Sequence, residues 1–334
     1  MLIIGIQNQG VWTLRREART LRAAAVQMES KNGQIEANLE HALPFVDDAA
    51  GQGARFILLP EFLATGYIFT KAIWEGGEPG EGPTVRWLRE NSKRLGVWLG
   101  ASFLEAEGED FYNTFVLANP DGGEDGRVRK QTPAFAEAYF TRGDRGPHVI
   151  KTELGKVGVG ICYENQLAYT PRLMYAQSVD MMLMPHSAPA PMPNPLFPRK
   201  YVDMYNEGLK DLAGHYARLL GIPVIMVNKS GHWQSPIPFL PFIQQDSSFP
   251  GLSAIVDSDG RLKAQLGDEE GVIVQEVTLD PSRKTDARPV CSGRWAMKEP
   301  AAINLFRLVE AAGSTWYRFS GERKRRAREI SRGK

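Results

Sequence analysis

Short apolar, β-like runs alternate with amphipathic helical stretches along most of this chain, and that alternation restricts it to α/β architectures. RAAAVQM (22–28), ARFILLP (54–60), VWLGASFLE (97–105) and NTFVLANPDG (113–122) read as strands, the last closed by a turn signal. GKVGVGICYEN (155–165) carries Val157, Val159 and Ile161 on one face of a strand. DMMLMP (180–185), IPVIMVNKSG (222–231), SAIVDSDGR (253–261) and GVIVQEVTLD (271–280) complete the sheet material. Between them, Ile35, Leu39, Ala42, Leu43 and Val46 recur at helical spacing within 32–53. TVRWLRENSKRLG (84–96) predicts a helix capped by Gly96, and another helix begins near Thr170-Pro171. The longest helical pattern covers 202–221. Several consecutive strands lack an intervening helix, which favours two sheets flanked by helices over a purely doubly wound sheet.

Composition narrows the function classes. Of 334 residues, 43% are hydrophobic and 24% charged, enough to bury a sizeable core. The formal net charge of +1 gives no bulk attraction to nucleic acid or an acidic membrane. The longest apolar stretches, such as LLGIPVIMV (219–227), fall short of the ~20 residues of a membrane helix. The opening MLIIGI has no basic segment before it and no small-residue cleavage site after it, so it is not read as a signal peptide. Two distant cysteines, Cys162 and Cys291, form neither a disulfide framework nor a zinc pattern, and a reducing, cytoplasmic setting is expected. The Pro-rich run PHSAPAPMPNPLFP (185–198) reads as a surface loop, at the rim of a site or as a plain connector.

The chemistry-bearing residues stand at strand ends. Cys162 follows an apolar strand and precedes the polar run YENQ. A thiol on such a turn is held rigidly, and the following N–H groups can point into the same space. Alone, it reads first as a small core residue, and Cys291 in RPVCSGRW has nothing around it to raise it above that reading. Glu61 stands just after FILLP, where a carboxylate can take and return a proton. Lys130, in RVRKQTP, can favour a thiolate or hold a developing negative charge, although a lysine in a basic run reads first as a surface residue. Glu137, in FAEAYF, is a second carboxylate in an apolar context. None of the five histidines has a local relation to Cys162; His186, before the Pro-rich run, is either structural or within reach of a site.

In this order and spacing, PEFLATGY (60–67), RKQTPAFAE (129–137) and GVGICYEN (158–165) resemble the three signature segments of the nitrilase superfamily of carbon–nitrogen hydrolases. PVIMVNKSG and FPGLSAIVDSDGR resemble its later segments, so the resemblance spans about 22–280. It implies a four-layer α-β-β-α sandwich, a homodimer or higher homo-oligomer, and no metal or organic cofactor. It matches Glu61 to the general base, Lys130 to the oxyanion-stabilising lysine and Cys162 to the nucleophile. Glu137 matches the second glutamate that braces the lysine. Phe62, Tyr67, Tyr163 and His186 are candidate pocket residues beside a small amide or nitrile substrate, with core packing as the equal alternative for the aromatics.

The implied organisation is an N-terminal extension (1–20), a hydrolase domain (21–285) and a C-terminal extension (286–334). Its basic tail, GERKRRAREISRGK, reads as a solvated terminal tail or helix rather than a nucleic-acid arm. K-x-x-P-x-x-x-E and CYEN resemble true nitrilases, whereas QLAYTPR departs from them. ARLLGIPVIMVNKSG resembles the amidase and carbamoylase branches. An amidase-type hydrolase is therefore expected, with a nitrilase as the alternative. An N-acyltransferase would need membrane helices, and a non-catalytic binding protein would most simply have lost one of the three residues.

Overall fold

The computed structural model describes residues 4–5, 13–14, 17–193, 198–238, 240–297 and 306–333. Two six-stranded sheets form its centre. The first runs, in spatial order, Gly271–Leu279, Arg19–Gln27, Phe56–Leu58, Trp98–Glu107, Asp110–Ala118 and Glu124–Arg129. The second runs Leu262–Gln265, Ala254–Val256, Val224–Val227, Met181–Pro185, Gly155–Val159 and Val149–Thr152. The central strands of each sheet are parallel and the flanking ones antiparallel.

The strand period of two explains the layering. On Arg19–Gln27, Ala23 and Ala25 face inward and meet Val157 and Val159 of the second sheet, and Ile161 just beyond that strand, in one continuous core. Ala24 and Val26 face the other way, against Leu39, Ala42 and Val46 of the helix Ile35–Gly51 and Val85 and Leu88 of the helix Pro83–Leu95. The helix Arg199–Leu220 brings Leu209, Leu212, Ala213 and Tyr216 to the second sheet. The result is the α-β-β-α sandwich, complete within one chain. Gly96 (φ 65°) and Gly221 (φ 66°) end their helices in the left-handed conformation that costs glycine least.

Three regions differ from the expectations. The strand Ser230–Ile237 pairs with Leu240–Pro250 as a separate antiparallel hairpin, which lays Trp233 and Phe249 on Tyr67. The Pro-rich run is a surface loop only in part: His186, Ser187 and Ala188 are buried, and 194–197 lie outside the described residues. The basic tail is a helix, Gly321–Ser331, and it is not wholly solvated. Arg323 is buried because its guanidinium reaches Asp110 Oδ1 at 2.5 Å and lies 4.3 Å over the Tyr317 ring. That tyrosine belongs to the helix Phe306–Phe319, whose Gly313 lets it approach Ala138 and Tyr139. No helix among the described residues is long and apolar enough to cross a membrane.

Candidate active site

Glu61, Lys130 and Cys162 each sit where a strand of one of the two sheets runs out, and Glu137 lies in the 3₁₀ turn Phe135–Tyr139. Glu61 follows Phe56–Leu58, Lys130 follows Glu124–Arg129, and Cys162 opens a single 3₁₀ turn, Cys162–Gln166, just after Gly155–Val159. Three non-glycine residues here adopt left-handed backbones: Phe62 (φ 48°), Phe135 (φ 45°) and Cys162 itself (φ 53°). Such a conformation costs about 1–3 kcal/mol and survives where surrounding bonds over-determine it. At Phe62 those bonds are visible: its N–H donates to Ser102 Oγ at 2.9 Å, and its carbonyl accepts from Lys229 Nζ at 3.0 Å.

The structure brings Glu61, Lys130 and Glu137 into direct contact. Lys130 Nζ donates to Glu61 Oε1 at 2.7 Å and to Glu137 Oε2 at 2.6 Å, and all three side chains are buried. Asn113 Nδ2 bridges the same carboxylates, at 2.7 Å to Glu61 Oε1 and 3.1 Å to Glu137 Oε1. Glu61 Oε2 accepts the Ser187 N–H at 2.7 Å, and Glu137 Oε2 accepts the Ala134 N–H at 3.0 Å. Ser102 Oγ donates to Asn113 Oδ1 at 2.9 Å and so fixes which way the amide points. Every carboxylate oxygen of the pair is thereby satisfied, as burial requires.

The charges explain the protonation states. Burial opposes a charge on Lys130, but Glu137, Glu61 and Cys162 outweigh it and hold the amine well above its usual range, so it is an ammonium. Burial pushes the Glu137 carboxyl up; Lys130 pulls it down and Glu61 reinforces the rise. Cys162 is pushed well above the ordinary thiol range by burial and then by Glu61, with Lys130 and the Ser187 N–H opposing. The lysine expected to favour a thiolate is therefore outweighed, and the resting sulfur carries its proton.

The other candidates fall as follows. The buried Tyr67 phenol is raised well above its usual range, first by burial and then by Glu137, Glu61 and Cys162, so it faces the same charges. Phe62 packs against Tyr67, with ring centroids 6.0 Å apart. Tyr163 turns its ring to Trp295 of the C-terminal segment. His186 Nε2 lies 3.0 Å from Asn165 Nδ2, which also donates to the Gly160 carbonyl at 2.8 Å. Its Nε2 is thus an acceptor; burial pushes the ring down to about 4, and it is neutral.

Sequence reading missed Asn113, Ser102, Ser187 and Lys229. Lys229 is fully buried, and burial lowers its amine to about 7 against the pull of Glu61 and Cys162. The one signal available was NKSG, which places a lysine at a strand's end beside a predicted site.

Comparison with known proteins bears on the fold and the family. The family described as carbon-nitrogen hydrolase matches residues 22–287. N-carbamoylputrescine amidase of Solanum lycopersicum is 28% identical over 280 residues, covering 78% of this chain and 87% of its own. A nitrilase of Pyrococcus abyssi is 30% identical over 183 residues, covering 52% of this chain and 69% of its own. Among solved structures, a carbon-nitrogen hydrolase from Helicobacter pylori G27 superposes with a TM-score of 0.68 at 18% identity, covering 91% of this chain and 96% of its own. The fold and the family match define an enzyme that hydrolyses carbon–nitrogen bonds. The chain belongs to the carbon–nitrogen hydrolase family, as its three signature segments led one to expect.

Proposed function

We propose that the chain cleaves the carbon–nitrogen bond of a small non-peptide amide or ureide, with Cys162 as nucleophile. The observation that carries this reading is the buried ammonium of Lys130, clamped between Glu61 and Glu137 in the electrostatic field of Cys162. Because the resting sulfur is protonated, attack needs a base, and Glu61 takes that proton as the S–C bond forms. The Lys130 ammonium and the Tyr163 N–H hold the resulting oxyanion. Glu61 returns the proton to the nitrogen, the C–N bond breaks, and ammonia or an amine departs. A water deprotonated by Glu61 then attacks the thioester; its collapse releases the acid and returns the proton to the Cys162 sulfur. Glu137 keeps Lys130 charged and aimed throughout. Tyr67 and Phe62 supply an aromatic wall beside the acyl group.

N-carbamoylputrescine amidases match over 78% and 74% of this chain, against 52% for the nitrilase, which supports the amide or ureide over the nitrile. A nitrile substrate is the second reading, favoured by K-x-x-P-x-x-x-E and by the partial match to nitrilases. Ammonia release from a panel of amides, ureides and nitriles tests both, with Cys162→Ala as control. Release from amides or ureides supports the first reading, and release from nitriles alone supports the second. No release from any, with a folded protein, would favour acyl transfer or binding instead. The cytoplasmic setting, the homo-oligomer and the domain limits 1–20, 21–285 and 286–334 belong to the same proposal.

A further inference from the structure

Two of the three candidate catalytic residues are joined from behind by one carboxylate that the mechanism does not use. Glu164 is fully buried in the turn that Cys162 opens. Its Oε2 accepts the N–H of Ile161, the residue before Cys162, at 3.0 Å. Its Oε1 accepts the N–H of Gln131, the residue after Lys130, at 2.6 Å. The Tyr169 hydroxyl donates to the same Oε1 at 2.6 Å, and Thr170 Oγ1 donates to the Glu164 carbonyl at 2.5 Å. Residues 131 and 164 lie 33 positions apart and follow strands of different sheets, so nothing local holds Lys130 in register with Cys162.

Behind Glu164 stands His148, also buried. Its Nε2 lies 3.1 Å from Glu164 Oε1 and its Nδ1 3.1 Å from the Gly146 carbonyl. Both neighbours are acceptors, so both ring nitrogens must donate, and the ring is an imidazolium. We infer that Glu164, backed by His148, is a positioning residue: it locks the nucleophile turn to the lysine loop and so sets the distance between sulfur and ammonium. The inference rests on the reading of Cys162 as nucleophile and adds what holds it in place.

The charges agree. Burial lowers His148, but the hydrogen bond and charge of Glu164, then the Gly146 carbonyl and Asp144, more than restore it, and it sits above its ordinary value. Burial raises Glu164, but His148, Tyr169 and the Ile161 N–H hold it below the usual carboxylate range. The groups facing His148 are thus Glu164, the Gly146 carbonyl, Asp144 and the Tyr169 ring, 6.4 Å away edge-on. A raised histidine keeps its proton at low pH and loses it as pH climbs through the raised value. One of its two bonds then fails, so the lock loosens on the alkaline side.

The test uses the full chain, with Glu164→Gln, His148→Gln and Cys162→Ala, and measures kcat, KM, the pH profile and the rate of Cys162 alkylation by iodoacetamide. Glu164→Gln sets an amide N–H against the backbone donors, so kcat should fall about 10²-fold, the cost of a displacement of about 1 Å, with KM little changed. His148→Gln keeps one donor toward Glu164 without a titrating ring, so the alkaline limb of both kcat and alkylation should flatten. If Glu164→Gln does not fold, His148→Gln alone decides. Wild-type kcat in Glu164→Gln, or an unaltered alkaline limb in His148→Gln, would overturn the inference. Turnover by Cys162→Ala would instead sink the nucleophile reading, whatever the other variants do.

Discussion

Glu61→Gln is the substitution on which the geometry makes its sharpest statement. Glu61 receives three donors, Lys130 Nζ, Asn113 Nδ2 and the Ser187 N–H, each at 2.7 Å. A glutamine has the same shape but one oxygen. If that oxygen faces Lys130 and Asn113, the amide N–H₂ meets the Ser187 N–H; if it turns to Ser187, the N–H₂ meets the ammonium. Either way a buried donor loses its acceptor, which costs about 1–3 kcal/mol. Two terms pull this toward the lower end. Lys130 keeps Glu137 at 2.6 Å, and the cluster loses the surplus negative charge of two carboxylates on one ammonium. Folding stability, followed by urea denaturation, should therefore fall by only about 1 kcal/mol. Activity should fall much further, because an amide cannot take the proton that the Cys162 sulfur holds at rest. Loss of a general base costs about 10²–10⁴-fold in kcat. The assay is ammonia release at saturating substrate, with stability measured on the same preparation. A Glu61→Gln enzyme that folds and keeps a near-normal rate would refute the assignment of the base.

Two other changes test the surroundings. Lys229→Met removes a buried amine held near 7, a value depressed from that of free lysine. A depressed lysine binds fewer protons folded than unfolded, so wild-type stability should rise with pH above about 7, by up to ~1.4 kcal/mol per unit from this group. Urea denaturation at pH 7 and pH 9 should show that slope in the wild type and a flatter one in Lys229→Met; equal slopes would refute it. Gly160→Ala places a Cβ 2.0 Å from Asn165 Oδ1 and 3.0 Å from Met182 Cε, so Asn165 must move off His186 and the Gly160 carbonyl. Overpacking of this kind costs about 1–3 kcal/mol, and a lowered midpoint with slower turnover is expected.

Much of the layer architecture was legible because it is periodic. The alternation of Ala23 and Ala25 with Ala24 and Val26 specifies two buried faces, and Gly96 and Gly221 mark helix ends by their own conformational freedom. Lys130 shows the limit: inside RVRKQTP it reads as a surface cation, and only Glu61, brought from a distant segment, and Glu137, turned back onto it within the same segment, make its burial tolerable. Asn113 and Ser102 were invisible for the same reason, since their partners arise from strand pairing and not from spacing. The hairpin 230–250 was missed because Pro236, Pro238 and Pro241 mask its strands and no helical period competes. Arg323 reads as one charge in a basic run, yet Asp110 and Tyr317 decide where it lies.

The central claim is that the Cys162 sulfur becomes covalently acylated during carbon–nitrogen hydrolysis. Acid quenching during turnover of a small amide, followed by peptide mass mapping, reads this directly. The account predicts the acyl mass on the peptide that contains Cys162, absent from Cys162→Ala together with ammonia release. An acyl group on Cys291 or on no residue, or ammonia released by Cys162→Ala, would contradict it.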